Sequence, residues 1–292
     1  MHPVLPTTNI NYVEEMIAFG ERIRCPVADG VFYPEDSTGV LAFIKGIGLK
    51  RGKGGQARAV IAPHGAWSVS GKLAGTAFAD AAGRYGENAP SRVVIMGPIH
   101  DKREKGLFLT NSHSFITPLG GLPVDVEYTD RLELYSPLFQ VDDIPHLQEH
   151  SIEVLLPFVK YCFPHTAIVP ILMGKPNETL IHTLACALRD IFSPVMEDTL
   201  LVVSFNMTEY KGEEEALNMA WECLRLFNEG RSADLCKALQ NGWIISCGGA
   251  LVAALLQSGL VDTDHPRPVS LSLERVFGEK GRTVYYNALS FS

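Results

Sequence analysis

A chain of 292 residues, 46% hydrophobic and 20% charged, carries enough apolar material for a large buried core and is neither a peptide nor a disordered segment. Its 25 basic and 33 acidic residues leave a formal net charge of −8, which excludes a general nucleic-acid or anionic-membrane binder, because such a binder needs a basic face. No run approaches the roughly 18 uninterrupted apolar residues of a membrane span.

Short apolar runs of strand length alternate with longer helical patterns. The Gly/Lys/Arg run Gly48–Gly55 reads as a surface loop, and Lys50, Arg51 and Lys53 within it match no motif. Ala59–Ala62 reads as a strand, Ser70–Tyr85 as an Ala/Gly-rich helix that packs closely, and Val93–Met96 as a second strand. Glu149–Tyr161 reads as a helix with Ile152, Leu155, Leu156 and Val159 at helical spacing, and Pro157 predicts a kink or early stop inside it. Ile168–Met173 and Leu200–Ser204 are further strands, followed by helices over Glu213–Phe227 and Gly248–Gln257, with Gly259 as a stop. Asp262–Pro268 reads as a loop and Thr283–Leu289 as the last strand. The strands are nearly all apolar instead of alternating, as in strands covered on both faces. The expected fold is one α/β domain over residues 1–292, with a mostly parallel or mixed central sheet between helices.

The six cysteines (Cys25, Cys162, Cys186, Cys223, Cys236, Cys247) form no Cys-x-x-Cys pair, and the first residues show no basic or apolar leader. The expectation is a cytoplasmic chain whose thiols are reduced and mostly buried. The Asn-x-Thr triplets at Asn177 and Asn206 are then fortuitous.

The residues that follow the strands carry the functional signal. Ala59–Ala62 runs into Pro63-His64-Gly65, Val93–Met96 into Gly97-Pro98-Ile99-His100, and Leu200–Ser204 into Phe205-Asn206. In an open parallel sheet, groups just past the carboxyl ends converge on one edge, where ligands bind. A loop histidine taken alone is usually a solvated or hydrogen-bonded residue, and two at equivalent strand ends bring the ligand reading level with that one. Cys247 ends an apolar run just before a helix, a place that favours a thiolate, and its alternative is a buried structural cysteine. Were Cys247 to join His64 and His100, two imidazoles and a thiolate would suit iron, copper or zinc and would not suit magnesium.

In the run from His146 to Glu153, Glu149, His150 and Glu153 share a face if the segment is helical. A histidine oriented by a carboxylate supports a metal ligand or carries a proton, and the alternative is an acidic helix start. The order does not match His-Glu-x-x-His. Gly65 to Gly71-Lys72 has the wrong spacing for a phosphate loop, Gly46-Ile47-Gly48 lacks the third glycine of a dinucleotide fingerprint, and no Gly-x-Ser-x-Gly is present.

Several blocks in order resemble the MEMO-like proteins, also called AmmeMemoRadiSam system protein B. They are Gly30-Val31-Phe32-Tyr33-Pro34, Pro63-His64-Gly65-Ala66-Trp67, Gly97-Pro98-Ile99-His100, Thr117-Pro118-Leu119-Gly120, His146 with Glu149 to Glu153, and Ser246-Cys247-Gly248. The resemblance implies a fold similar to class III extradiol dioxygenases and a pocket in which His64, His100 and Cys247 hold one transition metal ion, iron or copper before zinc. It implies redox or dioxygenase-like activity, with Glu149 and His150 supporting the metal or moving protons and Asn206 bonding a bound water or substrate. The other function it implies is a non-catalytic protein binding a small molecule or peptide, or working with radical-SAM and AMMECR-like proteins. The sequence departs from the family pattern at Asn206 and Glu209, where Asp and His are usual, at Asp101, and at Trp67, where Tyr is usual.

Overall fold

Hydrophobic strands two faces deep need apolar layers on both sides, and the chain supplies them. In the computed structural model, residues 20–49, 57–86, 88–101, 103–210, 212–262, 267–277 and 283–292 are described. The first half forms β1 (Ile23–Arg24), α1 (Ser37–Gly46), β2 (Ala59–Ala62), α2 (Trp67–Tyr85), β3 (Arg92–Pro98), β4 (Leu107–Leu109), β5 (Ser114–Thr117) and β6 (Gly120–Pro123). Then come α3 (Val126–Tyr135), β7 (Phe139–Val141), α4 (Asp143–Gln148), α5 (Leu156–Cys162), β8 (Ala167–Met173) and α6 (Glu178–Ala187). The chain continues with β9 (Thr199–Ser204), β10 (Thr208–Tyr210), α7 (Glu213–Asn228), α8 (Ser232–Gln240), α9 (Gly249–Ser258), β11 (Arg267–Phe277) and β12 (Thr283–Phe291).

The central sheet runs β10-β12-β2-β9-β3-β8-β4-β7, with β11 paired to β12, and a smaller sheet runs β1-β5-β6. The middle strands β2, β9, β3 and β8 are parallel, whereas β12 and β4 flank them antiparallel. The sheet is therefore mixed with a parallel centre, as expected. Alternation along each strand divides the core. Ile61, Val94, Met96, Val169 and Val203 pack with residues of α6 to α9, while Val60, Val93, Ile95, Leu172 and Val202 pack with α1, α2 and α5.

Two expectations change. The helix expected over Glu149–Tyr161 is broken: α4 ends at Gln148, Glu149 is extended (φ −106°, ψ 136°), and a 3₁₀ turn at Glu153–Leu155 precedes α5. Pro157 opens α5 instead of kinking a longer helix, because in the first turn its missing N–H leaves no bond unmade. Glu149, His150 and Glu153 consequently do not share a helical face. In the expected loop Asp262–Pro268, the last two residues begin β11. The loop at Gly48–Gly55, with Lys50, Arg51 and Lys53, lies largely outside the described residues. Of the cysteines, Cys162, Cys223 and Cys236 are buried, Cys25 is exposed, and Cys186 and Cys247 are intermediate, so burial as small hydrophobes holds for half of them.

The end of β9 and the start of α9 abut through a glycine. Gly248 has φ +95°, and a Cβ there would lie 2.4 Å from the Ser204 carbonyl oxygen and 3.2 Å from Phe205 Cα. Asn206 and Cys247 exchange both backbone hydrogen bonds at 2.9 and 3.1 Å, which ties the two segments. We expect Gly248→Ala to cost about 2–4 kcal/mol in urea unfolding, from left-handed backbone strain plus overpacking. Gly259→Ala, at φ +70° with nothing within 4 Å of its Cβ, should lose only about 1–2 kcal/mol.

Candidate metal centre

Three parallel strands deliver His64, His100 and Asn206 to the same sheet edge, each two residues past the end of β2, β3 and β9 respectively. Cys247 arrives from the other direction, at the start of α9, through its backbone bridge to Asn206. One nitrogen of His64, one of His100 and the Cys247 sulfur all lie within 4.8 Å of one another, a group able to hold a metal ion.

Hydrogen bonds set which atoms are free. The Ser204 hydroxyl donates its one proton to the Ser151 carbonyl at 2.6 Å, so its oxygen accepts from His64 Nδ1 at 2.7 Å. The proton of His64 is thereby on Nδ1 and the lone pair on Nε2. That Nε2 is buried and has no hydrogen-bond partner among the described residues, in a residue only 1% exposed. Burial and the neighbouring His100 and His150 push the His64 pKa well below the usual imidazole value, keeping the ring neutral. A buried, neutral imidazole with an unpaired lone pair is what a metal ligand requires.

His100 is held from behind. Its Nδ1 lies 3.0 and 3.1 Å from the Glu149 carboxylate oxygens, and its backbone N–H donates to the same carboxylate at 2.7 Å. Partial burial works to lower the His100 pKa, but hydrogen bonds to the Cys247 sulfur and Glu149 raise it above the ordinary imidazole range. Burial opposes ionisation of Glu149, yet bonds from His100 and His150 hold its carboxyl far below the usual range. Glu149 also accepts from the backbone N–H groups of His150 and Ser151, both at 2.8 Å.

His100, Glu149 and His150 form a second cluster of potential ligands. Glu149 is already saturated by these donors, so it orients His100 instead of offering a free oxygen. His150 stacks on His100 at 4.9 Å between ring centroids and packs against Phe32 at 4.2 Å. Asn206 Oδ1 accepts from the His64 backbone N–H at 3.0 Å, which engages its carbonyl end in holding the β2 exit. Asp101 turns away to pair with Arg103 at 2.6 Å. Glu209 stands in β10, opposite Val284 of β12. The indole N–H of Trp67 donates to the Val154 carbonyl at 2.9 Å.

Sequence reasoning missed the groups that hold this arrangement. Arg24, 1% exposed, donates to the carbonyls of His146 (3.0 and 2.9 Å) and Glu149 (3.1 Å) and pairs with buried Glu153. Glu153 also accepts from the N–H of Ala28 (2.8 Å) and Val27 (3.0 Å) and from the Tyr33 hydroxyl (2.7 Å). A polar Ser204 closing an all-apolar buried strand was a readable signal. Arg24 carried none, since its partners lie far along the chain.

Two outcomes test this frame. Arg24→Met strands a buried carboxylate and should cost about 3–5 kcal/mol by denaturant unfolding. His146, buried with Nε2–H donating to the Phe108 carbonyl at 3.2 Å, has its pKa pushed down by burial from 6.5 to about 4. Its neutral form is the folded one, so its contribution is complete above pH 6.5 and is lost as pH falls toward about 4. Between pH 7 and 5 the wild type should therefore lose about 2 kcal/mol more stability than His146→Gln, and parallel pH profiles would contradict this.

Residues 24–265 match the protein family described as Memo-like protein. A MEMO1 family protein of Thermotoga neapolitana is 31% identical over 249 residues, covering 81% of this chain and 88% of that relative. One from Aeropyrum pernix is 29% identical over 282 residues, covering 92% and 99% respectively. The crystal structure of an uncharacterized protein from Escherichia coli K12 aligns with a TM-score of 0.48 and 15% identity, over 80% of this chain and 99% of that one. With most of its length matched, the chain belongs to the Memo-like family.

Proposed function

We propose that this Memo-like protein binds one transition metal ion through His64, His100 and Cys247, iron or copper in preference to zinc, and uses it in redox chemistry. The observation that carries the reading is the partnerless, buried Nε2 of His64 beside an imidazole and a sulfur. The donor set fits: imidazole and thiolate are borderline-to-soft ligands that select late first-row metals. When bound, such an ion supplies a redox couple or a Lewis acid at the sheet edge.

The protein's own residues divide the remaining work. Ser204 and Glu149 fix the orientations of His64 and His100, and such partners typically change metal affinity about 10–100-fold. His150, with Nδ1 3.2 Å from Glu149 and its ring stacked on His100, is placed to hold or pass a proton beside His100. Asn206 keeps His64 and Cys247 in register from the backbone and has its carbonyl oxygen engaged. The thiolate in place of a carboxylate is the reason to favour general redox chemistry over ring cleavage. Cysteines that are widely spaced, half of them buried, suit a reducing, cytoplasmic setting, and no helix among the described residues is long and apolar enough to cross a membrane.

Elemental analysis of the purified protein should find about one metal ion per chain, abolished in His64→Ala and Cys247→Ala. Ser204→Ala should retain the site with affinity weakened about 10–100-fold in chelator competition. Equal metal content in wild type and both ligand variants removes the proposal.

A further inference from the structure

His100 and Cys247 are also part of the wall of a cavity of about 440 Å³, within the size range of small-molecule sites. The cavity lies between the segment after β8 and the turn that leads from α8 into α9. Its walls are apolar: Ile99, Met173, Leu239, Ile244, Ile245 and Leu251. His64, Glu149 and His150 do not line it, so the groups that orient the imidazoles are behind the centre and the cavity is in front.

The polar inventory of the wall is one-sided. Among the described residues, Lys175 is the one lining side chain with a fixed charge, and no carboxylate lines the space. Gly249 and Ala250, the first residues of α9, are also in the wall, and the first N–H groups of a helix have no intrahelical acceptor and carry partial positive charge. Gly248 at the cap provides no side-chain acceptor for them. Apolar walls with donors, an ammonium and no carboxylate are complementary to an anion with an apolar body.

We propose that this cavity receives a small monocarboxylate with an aryl or branched alkyl body, its carboxylate at Lys175 and its apolar part against Ile99, Ile244 and Ile245, next to His100 and Cys247. Calling that molecule a substrate rests on the metal-centre reading; its binding does not. The cavity discriminates by charge: a neutral amide of the same shape keeps the apolar contacts and loses the ammonium.

Calorimetric titration of the full chain with 4-phenylbutyrate and with 4-phenylbutyramide tests this, using metal-loaded and chelator-treated protein whose metal content is measured in parallel. The carboxylate should bind one per chain at least about tenfold tighter than the amide, a difference of about 1.4 kcal/mol. Lys175→Met should bring the two ligands to the same affinity, and Ile245→Glu, at a position already 44% exposed, should weaken the carboxylate at least about tenfold. Equal affinity of carboxylate and amide, an unchanged preference in Lys175→Met, or binding of neither ligand overturns the proposal. Carboxylate binding by protein that holds no metal would sustain the cavity assignment while the metal reading fails. Metal retained without carboxylate binding would do the reverse.

Discussion

Arg24 and Glu153 are both almost wholly removed from water, where an unpaired charge costs several kcal/mol, and every guanidinium nitrogen of the one and both carboxylate oxygens of the other are bonded. What the pair holds is the turn from Glu149 to Ser151, through the carbonyl oxygens of His146 and Glu149. That turn then orients two imidazoles by two different groups. The Glu149 carboxylate takes His100 Nδ1, and the Ser151 carbonyl takes the Ser204 proton, which leaves Ser204 to accept from His64 Nδ1. One buried ion pair therefore fixes the tautomers of residues carried by two separate strands. Its value lies in specificity of arrangement, since a hydrophobic replacement of similar volume can be as stable.

The parts of this that periodicity encodes were legible in the sequence. Buried parallel strands are continuous apolar runs, so β2, β3, β8 and β9 stood out, and the rule that ligands gather beyond strand ends pointed to His64, His100 and Asn206. Cys247 entered through its place before a helix and through family resemblance. What failed was the segment 149–161. Its apolar spacing fits a helix, but Arg24 draws in the carbonyls of His146 and Glu149, and Glu149 turns its carboxylate onto nearby N–H groups. Local spacing carries no trace of a partner well over a hundred positions away. The three- and four-residue strands β4 to β7 were missed for a related reason: they are too short for a period to register, and their pairing is set by neighbours.

Asn206 shows why a departure from a family pattern has to be weighed against geometry. A carboxylate at this position would accept the same bond from the His64 N–H, so the hold on the β2 exit does not depend on the charge. The backbone bridge to Cys247 does not involve the side chain at all. What the amide changes is the electrostatic sum. On the proposed reading, the Cys247 thiolate and the Glu149 carboxylate supply two negative charges, which match a divalent ion with neutral His64 and His100. An aspartate at 206 would add a third, beside the His64 N–H and the backbone bridge to Cys247. The neutral amide adds no such charge and still accepts the His64 N–H, so asparagine at 206 holds the β2 exit without altering the two-charge balance of the proposed centre.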